Sequence, residues 1–173
     1  MSAHTNGIGD VPILVKREIE ARALAPVYRA IVRELGEERA RAILSEAVRE
    51  LAIAEGAAFA DRVDGQTSMR TFIDIQDLWT ADNALTHDVL TADDEHYDYK
   101  VTHCAYADMY ERLGLRDLGT ILSCQRDYEF IEGYDDDIVL DRSPSIMMGN
   151  DHCLFRYRLR SGDGDAESTT EAD

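Results

Sequence analysis

The hydrophobic period of this chain switches back and forth between helical and extended spacing, and that alternation constrains the fold more than any other feature. Between Pro12 and Leu35 an apolar stripe recurs at Leu24, Val27-Tyr28, Ile31 and Leu35, which predicts an amphipathic helix. Pro12 suits a first helical turn and Gly36 a helix stop. A second helix is predicted over 37–62, with Ile43, Ala47, Leu51, Ala54 and Ala58 on one face. Its run of small residues (Ala52, Ala54, Gly56, Ala57, Ala58, Ala60) would let a neighbouring helix approach closely, and the two segments read as an antiparallel hairpin. Ser68 suits the cap of a third helix that carries Met69, Phe72, Ile73, Ile75 and Trp79 into a core.

The period then changes. Thr86–Leu90 and Tyr97–His103 alternate about an Asp93-Asp94-Glu95 turn, which predicts a β-hairpin. Helical spacing returns from Ala105 to Leu113, stopping at Gly114, and again from Leu115 to Phe130, ending at Gly133. Asp136–Met148 and Cys153–Arg160 read as paired strands around Gly149-Asn150-Asp151. This order predicts a single α+β domain, an N-terminal helical hairpin packed with an antiparallel β-sheet and further helices. Residues 12–160 form that domain in this reading, residues 1–11 a disordered N-terminus and 161–173 an acidic disordered tail. A length of 173 residues suits one such domain.

Charge narrows the function classes. Thirty-five acidic against 18 basic residues give a net charge of −17, which argues against a nucleic-acid partner. The tail supplies only five of those acids, so the body is acidic too. All bases but Lys16 and Lys100 are arginines, and low Lys with high Asp is the surface expected of a salt-adapted protein. No apolar run reaches the length of a membrane span, and the N-terminus lacks the pattern of a secretory signal. The expectation is a soluble cytoplasmic protein that acts on a small molecule, with a homodimer suggested by the two alanine-rich helices. An odd number of cysteines, three, then points to reduced thiols that pack, bind metal or react.

Cys104 falls where a strand gives way to a helix, and a thiolate there would be favoured by the helix dipole. Cys124 precedes Asp127 by three residues, which on a helix puts thiol and carboxylate on one face. Cys153 alternates with Phe155, Tyr157 and Leu159 on the apolar side of its strand. His152 points away from that side and stands as a separate acid or base. Spacings of 20 and 29 residues are no metal signature. If a metal is present, Cys104, Cys124 and Cys153 are the ligands to expect and Zn²⁺ the ion they suit.

The blocks Cys104-Ala105-Tyr106-Ala107-Asp108-Met109-Tyr110, Leu113-Gly114-Leu115, Ser123-Cys124-Gln125-Arg126-Asp127, Glu132-Gly133, Leu140 to Gly149 and His152-Cys153-Leu154-Phe155-Arg156 follow in one order. Together with Glu20-Ala21-Arg22, Tyr28 and Gly36, that order resembles the L-2-amino-thiazoline-4-carboxylic acid hydrolase family over roughly 12–160. The resemblance implies hydrolytic opening of a cyclic amidine at a non-peptide C–N bond, on a route to cysteine. Cys124, Asp127, Cys104 and His152 are then the catalytic candidates for such a reaction, and Arg142 and Tyr106 the candidates to bind its substrate. The chain departs from the family's pattern at His103 and at Ser143-Pro144-Ser145, which bears on substrate more than on fold. The arrangement also looks distantly like small-molecule-binding domains of the 4-vinyl reductase and haem-nitric-oxide-binding type, which implies a sensor without turnover as the alternative.

Overall fold

A computed structural model describes residues 11–160; the readings of 1–10 and 161–173 lie outside the described residues. The chain opens with α1 (Ile13–Leu35) and α2 (Glu37–Ala60), joined only by Gly36, whose φ of 82° an L side chain rarely adopts. Next come α3 (Met69–Asp74) and the one-turn α4 (Asp77–Thr80). Ser68 caps α3 as expected, in a reciprocal box with Thr71. The helix stops at Asp74 instead of continuing to Trp79.

The hairpin β1 (Leu85–Ala92) and β2 (His96–Cys104) leads straight into α5 (Ala105–Arg112). Residues 116–134 then run as α6 (Arg116–Gly119), a five-residue π turn (Thr120–Cys124) and α7 (Gln125–Tyr134). Strands β3 (Ile138–Arg142) and β4 (Cys153–Leu159) complete an antiparallel sheet of order β1-β2-β4-β3, so the α+β class expected from the sequence is the one observed.

The sheet turns one face to the helices. Val101 pairs with Cys153, Tyr99 with Phe155 and Tyr97 with Tyr157, and these six side chains are buried against Phe72, Phe130 and Tyr134. The opposite face is polar, with cross-strand pairs Asp98–Arg158 and Asp141–Arg156. A second cluster joins α1, α2, α5 and the π turn, through Ala25, Tyr28, Leu44, Tyr110 and Leu122.

Three local expectations are corrected. On α2 the buried face is Ala40, Leu44, Val48, Ala52 and Gly56, while Leu51 of the expected face is 53% exposed. The reason is α7, which crosses so closely that a Cβ on Gly56 would lie 2.1 Å from the Phe130 carbonyl oxygen. At this crossing the small residues are the contact, and Leu51 stays outside. Gly133 belongs to the same crossing, 2.1 Å from the Ile53 carbonyl by the same measure, and sits inside α7 instead of ending it. The C-terminal strands are also shorter than expected: β3 ends at Arg142 because Pro144 has no N–H for the ladder. A short 3₁₀ turn (Ile146–Met148) fills the connection, ending at Gly149 in the left-handed region.

Candidate functional site

A cavity of about 70 Å³ lies between the inner face of the sheet, the α3–α4 segment and the helices α1, α2, α5 and α7. It gathers Cys104 from β2, Cys124 from the π turn, Cys153 from β4, Asp127 from α7, Arg142 from β3 and Tyr106 from α5. His152 is not among the residues that line it; its ring sits outside the start of β4, 2.5 Å from the Asp151 carboxylate. His103, next to Cys104, turns outward onto Asp108.

The π turn explains how Cys124 reaches the cavity. An inserted residue shifts the phase of the helix between α6 and α7, so that Ser123 and Cys124 as well as Arg126 and Asp127 line the same space. Cys104 sits at the N-cap of α5, where the dipole argument predicts an easily ionised thiol. Burial outweighs it: Cys104 is pushed up to about 12, despite the Ala107 and Tyr106 backbone N–H groups beside it. Burial also raises Cys124, with the Arg142 guanidinium partly opposing it. Cys153 accepts the Ile146 N–H on its sulfur at 3.2 Å, a contact that fixes the β3–β4 connection.

Asp127 behaves differently. Burial pushes its carboxyl up to about 6, while Arg142, Arg17 and Arg126 pull the other way. A quarter of its side chain remains exposed, so the group is both perturbed and reachable. Arg142 donates from Nη1 to Asp127 at 3.2 Å and lies between the rings of Tyr128 and Phe155, at 5.7 and 5.5 Å. Burial works against its charge, but Asp127, Cys124 and Tyr128 hold its pKa above the ordinary arginine value. Its Nε is buried without a partner and Nη2 stands beside it, with the Cys124 thiol hydrogen-bonded to the same guanidinium. These two nitrogens form one edge of the guanidinium, the fork that fits a carboxylate. Tyr106 lines the cavity too, but its hydroxyl donates to the Trp79 carbonyl at 3.2 Å.

Three further charged residues enter the cavity wall that sequence reasoning did not find. Arg17 donates to Glu20 and Glu55 at 2.8 Å, and Arg126 to Glu20 at 2.9 Å, tying α1, α2 and α7 together. The available signal was Arg17 itself, which falls on the buried i, i+4 row of Ile13, Ala21 and Ala25.

The donor set does not fit the zinc expectation. Tetrahedral thiolate ligands at about 2.3 Å from zinc place their sulfurs about 3.8 Å apart. Among the described residues, the group of three or more His, Cys, Asp or Glu whose ligand atoms all lie within 4.8 Å is the surface run Asp135, Asp136 and Asp137. The three thiols therefore share a cavity without forming a three-ligand set.

The sheet and the helices that close it thus enclose an aromatic cavity that holds one carboxylate, Asp127, against one guanidinium, Arg142. Residues 16–157 match the L-2-amino-thiazoline-4-carboxylic acid hydrolase family, and the chain belongs to that family. No curated protein matches the chain. Among solved structures, the phenol-responsive sensory domain of the transcription activator PoxR, crystallised with phenol, is similar at a TM-score of 0.51. The two share 14% identity over 79% of this chain and 73% of that one, a likeness of fold. Among the described residues no helix is long and apolar enough to cross a membrane.

Proposed function

We propose that the protein hydrolyses a small cyclic amidine carrying a carboxylate, similar to 2-amino-thiazoline-4-carboxylate, with Asp127 activating water and Arg142 holding the carboxylate. The single observation that carries this reading is the buried, unpartnered Nε of Arg142, a guanidinium whose Nη1 is already bound to Asp127. A carboxylate seated on that Nε would bring the attached ring toward Asp127 and Cys124. The family's name supports the reaction class.

Burial raises the Cys104 and Cys124 thiols and keeps them protonated, which favours water over a thiolate as nucleophile. Water adds its oxygen to the amidine carbon while Asp127 takes the proton. Asp127 passes that proton to the ring nitrogen, and the carbon–nitrogen bond then breaks as the added hydroxyl becomes a carbonyl and its proton goes, through Asp127, to the departing nitrogen. The product of that bond cleavage is an S-carbamoyl thioester-like compound with a free amine. A cavity of 70 Å³ is roughly half the 150 Å³ that accepts benzene in an apolar core, so a substituted ring requires a wall to yield. The α4 wall suits that role: Leu78 is half exposed, and Asp82 and Asn83 follow it with φ of 57° and 58°.

The test is to incubate the pure protein with 2-amino-thiazoline-4-carboxylate and related cyclic amidines and to follow ring opening by mass spectrometry. Turnover that falls by roughly 10²–10⁴-fold in Asp127→Asn is expected. No opening of any of these rings, in low and high salt, overturns the reading. A second reading, a ligand-binding sensor, is favoured by the aromatic cavity wall (Phe72, Trp79, Tyr99, Phe130, Phe155) and by the fold likeness to a phenol-responsive domain. Saturable binding of phenol together with no ring opening would establish that reading instead.

A further inference from the structure

We propose that the outer face of the α1–α2 hairpin joins two copies of this chain into a two-fold dimer. Besides Leu35 at its tip, four large apolar side chains stand out from this hairpin into solvent: Val15, Ile19, Val27 and Leu51, each between 45% and 59% exposed. They belong to two rows at helical spacing of four. Val15, Ile19, Ala23 and Val27 run along α1, and Ala47, Leu51, Ala54 and Ala58 along α2. The Arg17–Glu55 bond fixes how the antiparallel helices lie beside each other, so Val15 is level with Ala58 and Val27 with the region of Ala47. The rows form an apolar strip, bordered by Lys16 beside Ile19 and Ala23 and by Glu50 beside Ala47 and Ala54. Buried faces of the same helices are already used, by α7 at Gly56 and by the core at Ala21 and Ala25.

Charge and size select a second copy as the occupant. Along the middle of the hairpin the α1 edge carries exposed Arg29 and Arg33, and the α2 edge exposed Glu46 and Glu50. None of these four makes an ion pair with a described residue. A two-fold axis along the helices lays α1 of one copy over α2 of the other, basic edge over acidic edge and apolar strip on apolar strip. An axis across the helices would lay like on like. At about 1.5 Å per residue α1 is about 35 Å long, and two helices about 9 Å apart are about 18 Å wide. That footprint is about 600 Å² per copy, or about 1,200 Å² in total, the lower end for a stable specific interface. The alanines let the facing helices settle at close distance, giving a four-helix layer.

Sedimentation equilibrium of the full chain from micromolar to several hundred micromolar tests this. A reversible dimer is expected, and Ile19→Glu and Leu51→Glu should each convert it to monomer with unchanged circular dichroism and melting temperature. Val89→Glu, an exposed apolar site on β1, should leave the dimer intact. Arg29→Glu should weaken association by about tenfold, and adding Glu46→Arg should restore it. A wild-type chain that stays monomeric throughout overturns the proposal. So does a dimer that persists in both glutamate variants, or a hairpin that binds anionic lipid vesicles as a monomer.

Discussion

At the scale of single residues, Asp127 is the group on which the proposed chemistry turns, and its burial makes two opposite demands. A folded-state pKa raised from 3.8 to about 6 means that ionised Asp127 is less favourable in the fold than in the unfolded chain. The associated stability is fully present below the unfolded pKa of 3.8 and is lost as pH rises through about 6, by roughly 3 kcal/mol at most for a shift of about two units. A base must be ionised to act, so turnover should rise with pH through about 6 while the melting temperature falls across the same window. Asp127→Asn is expected to abolish most turnover and to keep or gain stability at pH 7, which thermal denaturation alongside the assay will show. An inactive variant that is also strongly destabilised would instead mark Asp127 as a structural partner of Arg142. Arg142→Lys keeps the charge but loses the fork, so KM for a carboxylate-bearing substrate should rise about tenfold or more with a smaller change in kcat. Cys124 and Asp127 could be paired from their helical spacing and Arg142 was singled out beside the family resemblance, and the structure brings all three to one cavity. Arg17, Glu55 and Arg126 were not legible in the sequence, since an arginine on a helix is ordinarily a solvated one and only the fold shows that these are turned inward.

At the scale of elements, the order of helices and hairpins was readable from period alone, whereas the facing of each helix was not. Leu51 and Val27 are larger than the alanines beside them and dominate any hydrophobic stripe, yet the core takes Ala52, Gly56, Ala21 and Ala25. Close helix crossings reverse the usual weighting, because the contact is made by backbone and the missing side chain is what permits it. Gly56→Ala and Gly133→Ala test this directly. Each would place a Cβ about 2 Å from a carbonyl oxygen of the facing helix, where nothing flexible can give way. Either substitution should cost about 3 kcal/mol or more, seen as a lower denaturation midpoint at unchanged m-value. Helix propensity alone would favour alanine by about 1 kcal/mol, so the sign of the effect decides between crossing and propensity. The π turn was equally hidden. Its residues Thr120–Cys124 read as ordinary helix, and only the phase shift that brings both Ser123 and Cys124 to the cavity reveals it.

For the whole molecule the dominant quantity is a net charge of −17 on 173 residues. Much of the acid stands unpaired on the surface, as at Asp88, Glu95 and Asp136. Such charges repel over a Debye length of about 10 Å at 0.1 M salt and about 3 Å at 1 M. The surface also carries ion pairs that salt weakens, for example Arg70–Asp94 and Arg112–Glu18. Exposed pairs of that kind are each worth about 0–1 kcal/mol, and the attraction they lose is local, whereas the repulsion acts among all like charges at once. Screening should therefore stabilise the fold on balance. The melting temperature is expected to climb as potassium chloride is raised toward about 1 M, most steeply at the low end where the Debye length changes fastest. Replacing Asp88→Asn, Glu95→Gln and Asp136→Asn together should flatten that climb without moving the high-salt limit, because the repulsion they remove is the part that salt hides. A melting temperature that is flat or falls with salt would show that ion pairs outweigh net repulsion, and that the low-lysine, high-aspartate surface is a matter of residue usage and not of adaptation to salt. The same screening acts between copies of the chain, so salt that raises the melting temperature should also tighten the hairpin dimer, and the two curves measured together separate net charge from the specific pairing of its edges.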